Sequence, residues 1–170
     1  MNLIMKITTR TVVTGGVIAA LYAVLTYVSA AFGLAYGPIQ LRVSEVLTLL
    51  PLFTPVAVPG LTVGCFLANI GSSNSVDLIF GTAATLIAAL LTRLLRNVTI
   101  KSFPALSFLS PVIVNAVMVG FEISAFFLDG FTVAGFALSA VQVGCGELLV
   151  IFILGTPFYC CMKKQKKLFD

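Results

Sequence analysis

In the stretch "GPIQLRVSEVLTLLP", Arg42 and Glu45 stand three residues apart at the head of an apolar run. Two more glutamates lie inside apolar stretches, Glu122 in "NAVMVGFEISAFF" and Glu147 in "QVGCGELLVIF". A charge at the centre of a bilayer costs about 3 kcal/mol on insertion scales. It is retained where it faces the protein interior with a partner, a ligand or water. A carboxylate in such a place can accept two parallel N–H bonds from one edge of a ligand.

Other polar residues could join them. Asn115 and Glu122 are seven apart, so on a helix they share a face with Met118. Gln142 and Glu147 are five apart, about 140° round a helix, and need not face one cavity. Asn69 closes one apolar run, and Asn74 and Asp77 belong to the loop opening the next. Tyr36 and Gln40 flank the Arg42–Glu45 pair and complete the candidate set. Each has a structural alternative: an interfacial ion pair for Arg42 with Glu45, a helix cap for Asp77, interhelical hydrogen bonds for Asn69 and Asn115. Glu122 and Glu147 are the hardest to assign a purely structural role.

These residues are set in a chain of 170 residues that is 59% hydrophobic and 9% charged. Its mean hydropathy is +1.13. A soluble domain of this length is usually about 25% charged. The composition predicts an integral membrane protein, all-α, with a single domain over residues 1–170. Histidine is absent and the four cysteines form no CxxC pair, which argues against a structural zinc site or a His-based triad. No GxxxxGK[ST], GxSxG or HExxH motif occurs. No ATPase activity, enzyme, metal or cofactor is therefore expected. The basic residues are not interleaved with aromatics on a soluble surface, so nucleic acid is not an expected partner.

Membrane-spanning helices need about 20 mostly apolar residues. Six candidates run near 11–31, 43–53, 56–70, 77–95, 108–128 and 132–158. The first is too long for a signal-peptide core and is read as a retained helix. Pro51, Pro55 and Pro59 predict a tight turn between two short segments. Six crossings from a cytoplasmic N-terminus put nine of the ten basic residues inside, Arg42 being the tenth. Both termini are then cytoplasmic. Almost all the buried polar groups fall in the outer half of this bundle, as expected of a pocket open outward and closed below. In the first helix, Gly15, Ala19 and Ala23 recur every four residues, with Gly16 and Ala20 beside them. Such a strip lets another helix approach closely, either within this chain or from a partner.

The stretches "YGPIQLRVSEVLTLLPLFTPVAVPGLTVGCFLANI", "VDLIFGTAATLIAALLTRLLR", "PVIVNAVMVGFEI" and "GELLVIFILGTP" resemble the QueT family over about residues 10 to 160. These are substrate-binding S components of energy-coupling factor transporters. The resemblance implies a six-helix, multi-pass protein of the bacterial cytoplasmic membrane. Its substrate would be a queuosine precursor, a 7-deazaguanine base such as the aminomethyl form, or queuine. Its partners would be a transmembrane coupling subunit and two cytoplasmic ATPases. The resemblance matches Ala19 and Ala23 to a docking strip for the coupling subunit, and makes the loop Phe32 to Arg42 a gate. Tyr36, Phe32 and Phe66 are candidates to stack on the base. Two rival classes are a proton-driven secondary transporter working through Glu122 and Glu147, and a membrane scaffold without a ligand.

Overall fold

A computed structural model describes residues 8–36, 39–71, 75–128 and 130–165 of the chain. The described residues form six α-helices: α1 (Thr9–Ala31), α2 (Ala57–Ile70), α3 (Ser75–Leu94), α4 (Ala105–Phe126), α5 (Val133–Leu149) and α6 (Gly155–Lys164). A 3-10 helix, Val43–Leu52, lies between α1 and α2, and a π-helical turn, Val150–Leu154, joins α5 to α6. Four helical stretches are long and apolar enough to cross a membrane: Thr9–Ala31, Ser75–Asn97, Ala105–Phe126 and Val133–Lys164. Val43–Leu52 and Ala57–Ile70 are apolar but shorter. At about 2.0 and 1.5 Å per residue they reach roughly 20 Å each, below the ~30 Å of a hydrocarbon core.

The helices are apolar on the outside and polar within. On α1, Val12, Val13, Val17, Val24 and Val28 are exposed, while Tyr22, Thr26 and Ser29 are buried. This inversion of the soluble pattern suits a lipid environment, where polar groups must find partners inside the protein. Thr8 starts α1 with a reciprocal cap: its hydroxyl accepts from the Thr11 backbone N–H, and the Thr11 hydroxyl accepts from the Thr8 N–H at 2.8 Å.

Neighbours in sequence pack as neighbours in space, α1 on α2, α2 on α3, α3 on α4 and α4 on α5. Glycine sets the closest of these approaches. A Cβ at Gly60 would lie 2.9 Å from the Gly15 carbonyl oxygen, and one at Gly64 would lie 2.7 Å from that of Ala19. The backbones of α1 and α2 thus touch, and α2 takes the face that holds Ala19 and Ala23, both buried. Gly16 and Ala20 stay exposed beside them.

The expected second helix over 43–53 is a 3-10 helix, and it occupies the middle of the molecule. It touches α1, α2, α3, α4, α6 and the π-helical turn, and Ser44 to Pro51 are all buried. Ten residues is long for this conformation, which rarely continues beyond three or four. Polar side chains hold it. Thr26 donates to the Ser44 hydroxyl at 2.7 Å, the Val43 N–H donates to Ser29 at 3.0 Å, and Thr48 donates to the Glu45 carbonyl. Arg93 caps the far end by donating to the Pro51 carbonyl at 3.0 Å. The turn expected from the three prolines falls at Phe53–Val56, before α2. The last helical stretch runs on to Lys164, beyond the expected 158, through the π-helical turn.

Candidate functional site

Tyr22 of α1 fixes Glu45. Its hydroxyl donates to Glu45 Oε1, and both side chains are buried. The second oxygen, Oε2, is buried without a hydrogen-bond partner. The expected Arg42–Glu45 ion pair is not formed among the described residues. Arg42 instead donates through Nε to the Ala35 carbonyl at 2.9 Å and lies over the Tyr36 ring, 5.2 Å from its centre. The guanidinium therefore ties Arg42 to Ala35 and Tyr36. Burial opposes the Arg42 charge, but Tyr22, Cys65, Glu45 and Asp77 around it favour that charge and keep its pKa above the ordinary arginine value.

The rest of this segment is tied to two helices. Tyr36 donates to the Ala68 carbonyl at the end of α2, at 2.9 Å, and burial pushes its phenol pKa up. Gln40 is buried against α5, where a Cβ at Gly146 would lie 2.5 Å from the Gln40 carbonyl oxygen. Only glycine at position 146 admits so close an approach, one residue from Glu147. Phe32 is 76% exposed and Phe66 43% exposed, so neither is buried with the polar cluster.

Across the bundle, Asn115 of α4 donates to Glu147 Oε1 of α5 at 2.6 Å, leaving Oε2 buried and unpartnered. Asn69 donates to the backbone carbonyl of Asp77 at 3.0 Å, joining the end of α2 to the first turn of α3. Asp77 itself is half-buried. Asn74 lies outside the described residues. Glu122 is different from all of these. Its side chain is 0% exposed, neither oxygen accepts from an N–H or hydroxyl among the described residues, and the Asp77 carboxyl lies close enough to share a proton with it.

These residues form one electrostatic cluster. Arg42 is within reach of Glu45, Asp77, Glu122 and Glu147, and is the one cation so placed among the described residues. Four carboxyl groups face one guanidinium. A bound group rich in N–H donors would meet acceptors already in place. Tyr22, Thr26 and Ser44, which position Glu45, were not among the expected site residues. Their signal is the polar face of α1 at residues 22, 26 and 29, on the same helix as the small-residue strip.

The model of the family described as QueT transporter matches residues 12–164. The chain belongs to the QueT transporter family. It is also 39% identical over 82 residues to a protein of Lactococcus lactis subsp. cremoris (strain MG1363) named Queuosine precursor transporter QueT. The aligned stretch covers 48% of this chain and 48% of that protein, about half of each. No solved structure matches. Members of the family are transporters rather than enzymes, and the four long apolar stretches make this chain a multi-pass membrane protein.

The Glu45 geometry makes a measurable prediction. Tyr22→Phe keeps the ring but leaves both Glu45 oxygens unpartnered in a buried site. The expected loss is about 1–3 kcal/mol of stability, read from detergent-induced unfolding of the purified protein. A change below about 0.5 kcal/mol would show that this hydrogen bond does not hold the 3-10 helix.

Proposed function

We propose that this QueT-family chain is the substrate-binding S component of an energy-coupling factor importer, and that Glu122 is the primary contact for a 7-deazaguanine queuosine precursor. The observation that carries the reading is the fully buried Glu122 carboxyl, which receives no N–H or hydroxyl donor among the described residues and has the Asp77 carboxyl beside it, so that two acid groups stand together without a donor. The aminomethyl form and queuine share a ring N–H beside an exocyclic amine. One carboxylate accepts both as a bidentate pair. Glu45 and Glu147 have each committed one oxygen, to Tyr22 and Asn115, and are suited to a single further donor. A cationic aminomethyl arm is such a donor. Tyr36, Gln40 and Arg42 belong to the segment that would close over the ligand, and Asn69 and Asp77 to the opposite wall.

In this reading the chain crosses the cell membrane six times, with the 3-10 helix and α2 as two short crossings and both termini in the cytoplasm. The coupling subunit docks on the groove between α1 and α2. That groove encloses about 390 Å³ and is lined by Thr11, Gly15, Gly16, Ala19, Pro59 and Gly60 among others. Two cytoplasmic ATPases complete the importer. The apolar, glycine-rich lining supports the docking, since small residues allow close contact between helices in lipid.

Glu122→Gln keeps the shape but replaces one acceptor by a donor facing the ligand's own donors. Calorimetry with aminomethyl-deazaguanine should show a loss of about 2–4 kcal/mol, roughly 30- to 1000-fold in affinity. Binding within about threefold of wild type would remove Glu122 as the primary contact. If Glu45→Gln and Glu147→Gln also bind that well, recognition by carboxylates fails as a whole.

The docking reading is tested at Gly16, where an added Cβ meets nothing within 4 Å. Gly16→Leu should leave folding and ligand binding intact and cut ATP-dependent uptake at least tenfold. Wild-type uptake would mean that no partner helix approaches this strip. Uptake that survives ATP depletion and collapses with a protonophore would favour the proton-driven alternative.

The six-crossing arrangement predicts a cytoplasmic signal from topology reporters at both termini and an external signal from one inserted near residue 73. An external C-terminus would overturn it.

A further inference from the structure

At the end of the molecule where α3 and α6 finish lies a second concavity, of about 490 Å³. Arg93 comes to it from the last turn of α3, Arg96 from the short 3-10 turn Leu95–Asn97, and Lys163 from the last turn of α6. Asn97 and Thr99 add polar groups to the same wall. Among the described residues, no acidic residue lines it. Of the six acidic residues in the chain, Glu45, Asp77, Glu122 and Glu147 belong to the cluster around Arg42, and Asp129 and Asp170 lie outside the described residues.

Cations in a last helical turn are favoured by the helix dipole, which accounts for Arg93 and Lys163 taken singly. It does not account for three cations from separate elements lining one hollow. Like charges brought together this way repel unless an anion joins them. Two guanidinium groups and an ammonium, with amide and hydroxyl donors beside them, match the oxygens of a phosphate.

The rest of the lining is apolar. Phe53 and Tyr159 stack with ring centres 5.7 Å apart, and Lys163 lies 5.9 Å above the Tyr159 ring. Leu52 and Pro104 complete the apolar side of this rim. A soluble phosphate has no use for such a rim. The glycerol and acyl chains of a phospholipid do. Basic hollows at the ends of membrane helices are suited to anionic headgroups.

We propose that this concavity is a binding site for the phosphate headgroup of an anionic phospholipid, held by Arg93, Arg96 and Lys163. The concavity lies at the Leu52 end of the 3-10 helix and the Arg42 cluster at its start, and the proposal does not depend on the identity of the transported substrate.

The test is native mass spectrometry of the full chain with phosphatidylglycerol and, separately, with phosphatidylcholine of the same acyl chains, together with thermal unfolding in each. Phosphatidylglycerol should be retained at least tenfold more and should raise the unfolding temperature. Each cation contributes about fivefold in affinity. The Arg96→Gln, Lys163→Gln double variant should therefore lose roughly 30-fold, and Lys163→Glu alone, at an exposed position, should lose at least fivefold. Lys164→Gln, outside the lining, should lose less than twofold. Equal retention of the two lipids, or retention unchanged in both pocket variants, would overturn the proposal. Stabilisation by inorganic phosphate equal to that by phosphatidylglycerol would also overturn it, by assigning the site to a soluble anion.

Discussion

The Tyr22–Glu45 hydrogen bond joins α1 to the 3-10 helix at the centre of the molecule, and the rest of the architecture is arranged about that helix. Lipid supplies no water to satisfy a stray backbone or side-chain group, so an irregular segment survives at membrane depth only when protein surrounds it. Here α1 presents Tyr22, Thr26 and Ser29 as one polar face, and these meet Glu45, Ser44 and the Val43 N–H. Arg93 holds the other end of the helix at Pro51. The segment is thus anchored by hydroxyls on one side and a guanidinium on the other, with α2, α3 and α4 packed round it.

That anchoring decides where charge is left over. Glu45 and Glu147 each satisfy one oxygen inside the protein, and Arg42 spends a donor on its own loop at Ala35. Glu122 receives no N–H or hydroxyl donor among the described residues and lies beside the Asp77 carboxyl. An uncompensated buried carboxylate is among the most expensive features a fold can carry, and in proteins it is met by a partner, a proton or a ligand. The residues that lead into the 3-10 helix rest on contacts of two kinds. Tyr36 and Arg42 make specific hydrogen bonds, while Gln40 lies on bare backbone at Gly146. The contact at Gly146 involves no interlocking side chain.

Glycine does different work on the opposite side. Gly60 and Gly64 bring α2 onto α1 until the carbonyl oxygens of Gly15 and Ala19 are in contact range. This consumes one edge of the small-residue strip and leaves Gly16 and Ala20 open on the other. Internal packing therefore accounts for one edge of the strip, while the adjacent edge at Gly16 and Ala20 carries no packing among the described residues.

Much of this was legible from residue types alone. A chain with 9% charge and long apolar runs has nowhere to go but a membrane, and the positions of helices follow from where those runs stop. The acidic residues stood out for the same reason, since each charge in lipid demands a cause. Family membership was legible in the order of short motifs from Tyr36 to Pro157. What the one-dimensional pattern could not supply was partnership. Arg42 and Glu45 are close enough in sequence to pair, yet Tyr22, 23 residues away, takes the glutamate. Phe32 and Phe66 are as aromatic as Tyr36 but are exposed where Tyr36 is half-buried. Seen in sequence, Glu122 and Glu147 are equivalent carboxylates in apolar helices. Only the packing of α4 on α5 gives Glu147 an asparagine and leaves Glu122 with none. Burial cost is a property of the residue and its immediate neighbours, so sequence reveals it. Hydrogen-bond satisfaction depends on which helix faces arrive at the same point, and that is settled only when the whole bundle has assembled.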